Sequence, residues 1–209
     1  MKGSDVPHHK PALRHLKKSD PVMAAIIEQV GPYLIEYREA TFQALARAIV
    51  YQQLSGKAAG TIFGRLMAAV KVEELTAESI LKLRPSKMRT LGLSQQKVDY
   101  LRGLARMTRD GSIDFRNFAA LEDAVVIEQL TAVKGIGLWT AHMFLMFALR
   151  RPDVFPTGDL GIRAAIKRAY NLKELPTPVE MTVIAAPWTP YCSVATWYLW
   201  RSLDGEAAI

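Results

Sequence analysis

The chain has 209 residues, half of them apolar, which is enough for one domain or for two small lobes sharing a core. Its 27 lysines and arginines against 20 acidic residues leave a net charge of +7, a balance that favours DNA, RNA or an anionic membrane surface as partner. Cys192 is the only cysteine, and His8, His9, His15 and His142 lack ligand spacing; a disulfide within the chain and a four-cysteine cluster are excluded, and no metal held by side chains is expected.

Residues 1–18 are polar and basic and read as a flexible basic arm without the apolar core of a secretory signal. No apolar stretch approaches the roughly 20 residues of a membrane helix, so a soluble protein with no membrane partner is expected. An intracellular location is the default. From residue 19 to 209 the pattern is helical nearly throughout. Phe42, Leu45, Ala46 and Ile49 recur at i, i+3, i+4 and i+7, as do Ala59, Ile62, Phe63 and Leu66. Gln52-Gln53-Leu54-Ser55 then ends an apolar helix on polar residues. These glutamines either mark the helix end or fill the gap left in a duplex when a nucleotide is extruded.

Val98, Leu101 and Ala105 continue the period, and Val126, Ile127, Leu130 and Val133 set a further helix against a core. Glu122 and Asp123 fall at its start, where acidic side chains suit the dipole. Breaks at Gly31-Pro32, Arg84-Pro85, Asp110-Gly111 and Pro152–Gly158, among others, divide the chain into about ten helices with short connections. Sustained apolar/polar alternation is missing, so the fold class is all-α.

The most informative stretch runs from Leu130 to Ile162. A helix stops at the turn Val133-Lys134-Gly135-Ile136-Gly137, and a second helix follows at once. Glycine at such a turn supplies positive φ. The first turn of the second helix carries unpaired N–H donors at the positive end of a dipole, which suits a phosphate. Lys134 at the tip is either a phosphate contact or an ordinary exposed lysine. Leu138–Leu149 is apolar on every face apart from Thr140 and His142, which predicts a helix at the centre of a domain, holding the turn rigid. His142 reads as a satisfied buried histidine.

Asp159 closes the next loop. Thr157-Gly158-Asp159 precedes a helix with Ile162, Ile166 and Ala169 inward, so Asp159 is an N-cap, a catalytic carboxylate, or both. Trp139, Trp188, Trp197 and Trp200 are core residues or walls of a pocket for an electron-poor base. Trp139 lies nearest the turn in sequence.

With these residues the chain resembles the helix–hairpin–helix DNA glycosylases, and within them the AlkA-type 3-methyladenine DNA glycosylases, over roughly residues 15–205. Val133–Ala141 is similar to the family's hairpin, Asp153–Asp159 to its catalytic-aspartate loop, and Ala48–Ser55 to its DNA wedge segment. The resemblance implies a two-lobed helical fold with the DNA and base cleft between the lobes; the extra N-terminal β lobe that the family often carries is not expected, because only a short basic arm precedes the helices. It implies Asp159 as the catalytic residue, Gln53 with its neighbour Leu54 as the wedge, and Trp139, Met143 and Trp200 as the base pocket. Val133, Lys134, Gly135, Ile136 and Gly137 would hold the DNA backbone.

Two departures from the family pattern matter. The lysine of the bifunctional glycosylase/lyase branch is replaced by Trp139, so no Schiff base can form there. Met143 stands where the family often has an aromatic. The implied activity is therefore monofunctional release of alkylated bases, of the 3-methyladenine and 7-methylguanine type, in base excision repair. The implied partner is double-stranded DNA with damaged bases, bound by a monomer. No cofactor is expected, with room left for a monovalent cation at the hairpin. Three alternatives stay open at this point: a non-catalytic DNA-binding module, a glycosylase for deaminated or mismatched bases, and a helical interaction protein.

Overall fold

The computed structural model describes residues 9–71 and 73–204, and among them every regular element is helical. The elements divide into two compact units, one taking in the chain up to Tyr37 and from Leu145 onward, the other Arg38–Phe144.

The first unit contains α1 (His9–Ser19), α2 (Pro21–Val30), α10 (Leu160–Ala169), α11 (Pro178–Ala185) and α12 (Cys192–Arg201). Over residues 9–18 the expected flexible basic arm is a packed helix instead. Residues 9–18 belong to α1, which buries Ala12 and Leu16 completely in the core of this unit, while residues 1–8 lie outside the described residues. Two apolar positions four apart on one helical face outweigh a polar average, because burial is decided by the face and not by the composition. The chain then turns through Asp20, which is itself buried. Its Oδ1 accepts the N–H groups of Val22 (2.8 Å) and Met23 (3.1 Å) and so caps α2. Its Oδ2 accepts the indole N–H of Trp188 at 2.8 Å and the hydroxyl of Tyr170. Four donors offset the desolvation of one carboxylate and join α2 to two tertiary neighbours. α12 is buried along nearly its whole length, from Cys192 to Leu199. It packs against α2, α1 and α10.

The second unit contains α3 (Phe42–Tyr51), α4 (Gly56–Val70), α5 (Ala77–Lys82), α6 (Pro85–Thr90), α7 (Gln95–Arg109) and α8 (Asp123–Thr131). α7 lies against α3, α5 and α6. Its buried face is Val98, Leu101, Leu104 and Ala105, the spacing expected from the sequence. Caps follow local chemistry: Thr41, Ser55, Thr76 and Ser94 each accept the N–H three residues on. The division between the units falls inside α9 (Leu138–Phe147), after Phe144.

α9 is not enclosed along its length. Ala141, Phe144, Leu145 and Met146 are buried, but Leu138 and Trp139 are 53% and 51% exposed. The expectation of a wholly central helix is thus wrong for its first two residues. All-round apolarity required burial only of the later turns, and the first turn follows directly on a surface hairpin. Among the described residues, no helix is long and apolar enough to cross a membrane.

Candidate active site

In the first unit the loop Arg151–Gly158 is tied to the start of α12. Ser193 Oγ donates to Arg151 O at 2.7 Å and accepts Val154 N–H at 2.9 Å. Cys192 N–H donates to Asp153 Oδ1 at 3.1 Å, and Ser193 N–H to Pro152 O at 2.9 Å. The loop ends on Asp159, whose own N–H donates to Pro156 O at 2.9 Å.

Asp159 caps α10: its Oδ1 accepts Ile162 N–H at 2.8 Å. The same oxygen accepts the indole N–H of Trp200 at 3.1 Å. The carboxylate is 9% exposed, its charge complements the positive end of α10, and two donors on different elements fix its direction. Gly161 sits against the pair. A Cβ there would lie 3.1 Å from Asp159 Oδ1 and 3.4 Å from Trp200 Cδ1, so the close approach needs the missing side chain. One face of Trp200 is stacked on Phe147, with centroids 6.0 Å apart and planes 20° apart. The cap and the candidate catalytic group are therefore the same residue, as the spacing allowed.

In the second unit Val133 and Ile136 are buried, and Lys134 and Gly137 are exposed. Ile136 N–H closes the turn onto Val133 O at 2.9 Å. The two glycines differ in why they are glycine. Gly135 has φ +96°, and a Cβ there would fall 2.1 Å from the Tyr100 ring, whereas at Gly137 a Cβ would meet nothing. Nothing in the chain's own packing requires glycine at 137.

The turn between α3 and α4 carries Gln53 and Leu54, both exposed, with Gln53 in the left-handed region at φ +55°, an unusual conformation for a residue with a side chain. Gln52 is half-buried and donates through Nε2 to Gly135 O at 2.8 Å. Of the glutamine pair, Gln52 is thus an internal tie and Gln53 the one that projects. Lys97 on α7 donates to Val50 O at 2.6 Å and Gln52 O at 2.8 Å, and burial pushes its pKa below the ordinary lysine value.

The structure thus brings Asp159 to Trp200 in one unit, and the Gln53 turn to the hairpin in the other. Trp139 and Met143 stand four residues apart on α9, and Phe147 continues the same helical row. His142 is half-buried, and burial lowers its pKa while Asp123 opposes the shift. Sequence reasoning missed Lys97, Tyr100, Phe147 and Gly161. Only the spacing of Lys97 and Tyr100, one turn apart on a helix, was available as a signal, and it did not point to the hairpin.

The chain has a TM-score of 0.85 and 33% identity to the DNA-3-methyladenine glycosidase of Bacillus halodurans, covering 96% of this chain and 91% of that one. Against the Schizosaccharomyces pombe 3-methyladenine DNA glycosylase Mag1, solved with abasic DNA, the TM-score is 0.80 and the identity 34%, covering 92% and 96%. The putative DNA-3-methyladenine glycosylase YfjP of Bacillus subtilis is 30% identical over 94% of this chain and 70% of its own length. Residues 46–190 match the HhH-GPD superfamily of base excision DNA repair proteins, and the chain belongs to that family.

Proposed function

We propose that this chain is a monofunctional DNA glycosylase that hydrolyses the N-glycosidic bond of alkylated bases, of the 3-methyladenine and 7-methylguanine type, in double-stranded DNA. The observation that carries the reading is Asp159, a largely buried carboxylate at a helix start, aimed by Ile162 N–H and the Trp200 indole. The relatives named for 3-methyladenine and the relative solved with abasic DNA support the substrate class.

Chemically, a base alkylated at N3 or N7 is cationic and leaves as a neutral molecule with the bonding electron pair, so no general acid must protonate it. The sugar develops oxocarbenium character. Asp159 stabilises that charge electrostatically and orients the attacking water, whose proton passes to the carboxylate or to solvent. Aromatic faces add about 0.5–2 kcal/mol of cation–π attraction for a charged base. Trp139, half exposed at the first turn of α9, and Trp200 with Met143 are the residues proposed for that contact. Trp139 in place of a lysine supports hydrolysis without a lyase step.

The second unit supplies the grip on DNA in this reading. Val133–Gly137 receive a backbone phosphate, with Gly137 bare so that the strand can approach, and Gln53 with Leu54 fills the space the extruded nucleotide leaves. Asp159 and Trp200 come from one chain, so a monomer suffices in this reading, acting in a compartment that holds DNA.

The test uses duplexes bearing a single 7-methylguanine, uracil or G·T mispair. Release of 7-methylguanine alone, strand breaks only after alkali, and no adduct trapped by borohydride are expected. Release of uracil or the mispaired base instead, or a trapped adduct, would overturn the assignment.

A further inference from the structure

The turn that carries Gln53 and Leu54 joins α3 to α4 with Gln53 in a strained backbone conformation, so something must hold it in place. The carbonyls at the end of α3 are the negative pole of that helix and lack intrahelical donors. Lys97 meets that requirement from another helix, with its ammonium 2.6 Å from Val50 O and 2.8 Å from Gln52 O, on either side of Tyr51. A half-buried lysine used only for charge would be poorly placed here; one donating to two carbonyls is well placed. From the same turn, Gln52 Nε2 donates to Gly135 O at 2.8 Å. One helical turn beyond Lys97, the Tyr100 ring packs directly on Gly135. α7 therefore holds the Gln53 turn through Lys97 and the hairpin through Tyr100, with Gln52 closing the circuit.

We infer that Lys97 is a positioning residue for opening the duplex: it locks the Gln53–Leu54 turn to the Val133–Gly137 hairpin, so that the wedge enters the DNA at a set place relative to the gripped phosphate. The inference rests on the reading of Gln53 and Leu54 as the wedge. Lys97 itself touches neither base nor sugar. Its effect should appear only where a stacked, paired nucleotide must be extruded, because a lesion that is already unpaired pays little of that cost.

The experiment measures single-turnover release of 7-methylguanine, at saturating enzyme, from a fully paired duplex and from the same sequence with the lesion in a three-base bubble. Lys97→Met, Gln53→Ala, Leu54→Ala and the Lys97→Met/Gln53→Ala double variant are compared with wild type. The ratio of the two rates is the readout; because both substrates are assayed with one preparation, a partly unfolded variant does not change it. Lys97→Met is expected to lower the paired-duplex rate about ten-fold while moving the bubble rate less than two-fold, since extrusion from the stack is worth a few kcal/mol. Gln53→Ala should also lower the ratio of paired to bubble release, and the double variant should lower it little further. If Gln53→Ala impairs paired release but Lys97→Met changes both substrates equally or neither, the inference is overturned while the wedge reading stands. If Gln53→Ala and Leu54→Ala both leave the ratio unchanged, the wedge reading fails and the inference fails with it.

Discussion

The indole N–H of Trp200 donates to Oδ1 of Asp159 across 3.1 Å, and both groups pack against the bare backbone of Gly161. A tryptophan expected as a pocket wall is thus also the group that aims the carboxylate. Its ring is covered on one side by Phe147, so its position is fixed by stacking while its nitrogen is spent on Asp159.

Trp200→Phe removes the donor and keeps an aromatic ring. A hydrogen bond to a charged group is worth about 1.5–3 kcal/mol, so single-turnover base release should fall about ten-fold or more. Affinity for abasic duplex should stay within a factor of about two, since the carboxylate acts on the reacting sugar. A variant with normal release and weakened binding would show that Trp200 serves only as a wall. Gly161→Ala, which places a Cβ 3.1 Å from Asp159 Oδ1, should reduce release in the same direction.

The hairpin glycines should separate stability from binding. At Gly135 a side chain meets both the positive φ and the Tyr100 ring, so Gly135→Ala should destabilise the fold by about 1–3 kcal/mol or more. Gly137 has open space around it, and Gly137→Asp should leave the melting temperature nearly unchanged while abolishing DNA affinity at moderate salt. Thermal melts and a salt titration of duplex binding check both. Unchanged affinity in Gly137→Asp would remove the phosphate from the hairpin.

His142 gives a pH dependence of known sign. Burial lowers its pKa below the ordinary 6.5, so the unfolded chain binds the proton more tightly than the folded one. The stability tied to neutral His142 is fully present above pH 6.5 and is lost as the pH falls toward the folded-state value. His142→Asn should flatten the fall in melting temperature below that pH. An unchanged slope would assign the acid sensitivity to other groups.

Much of this was legible in the sequence because it is local. The period of α3 and α7, the glycine turn and the cap at Asp159 all depend on residues within a few positions of one another. What escaped detection is tertiary. The Trp200–Asp159 bond spans 41 residues, Lys97–Val50 47, and Gln52–Gly135 83. No spacing rule connects such pairs. The two errors have the same root: averages over a segment misjudged α1, whose buried face is only Ala12 and Leu16, and α9, whose first two residues, Leu138 and Trp139, stay half exposed.

The central claim is that Asp159 performs the chemistry on an alkylated base, and base release from duplex DNA methylated with dimethyl sulfate tests it most directly. The wild type should release methylated purines, and Asp159→Asn, which keeps an N-cap oxygen but loses the charge, should bind the same DNA with release reduced by about a thousand-fold or more. Near-normal release by Asp159→Asn would contradict the account.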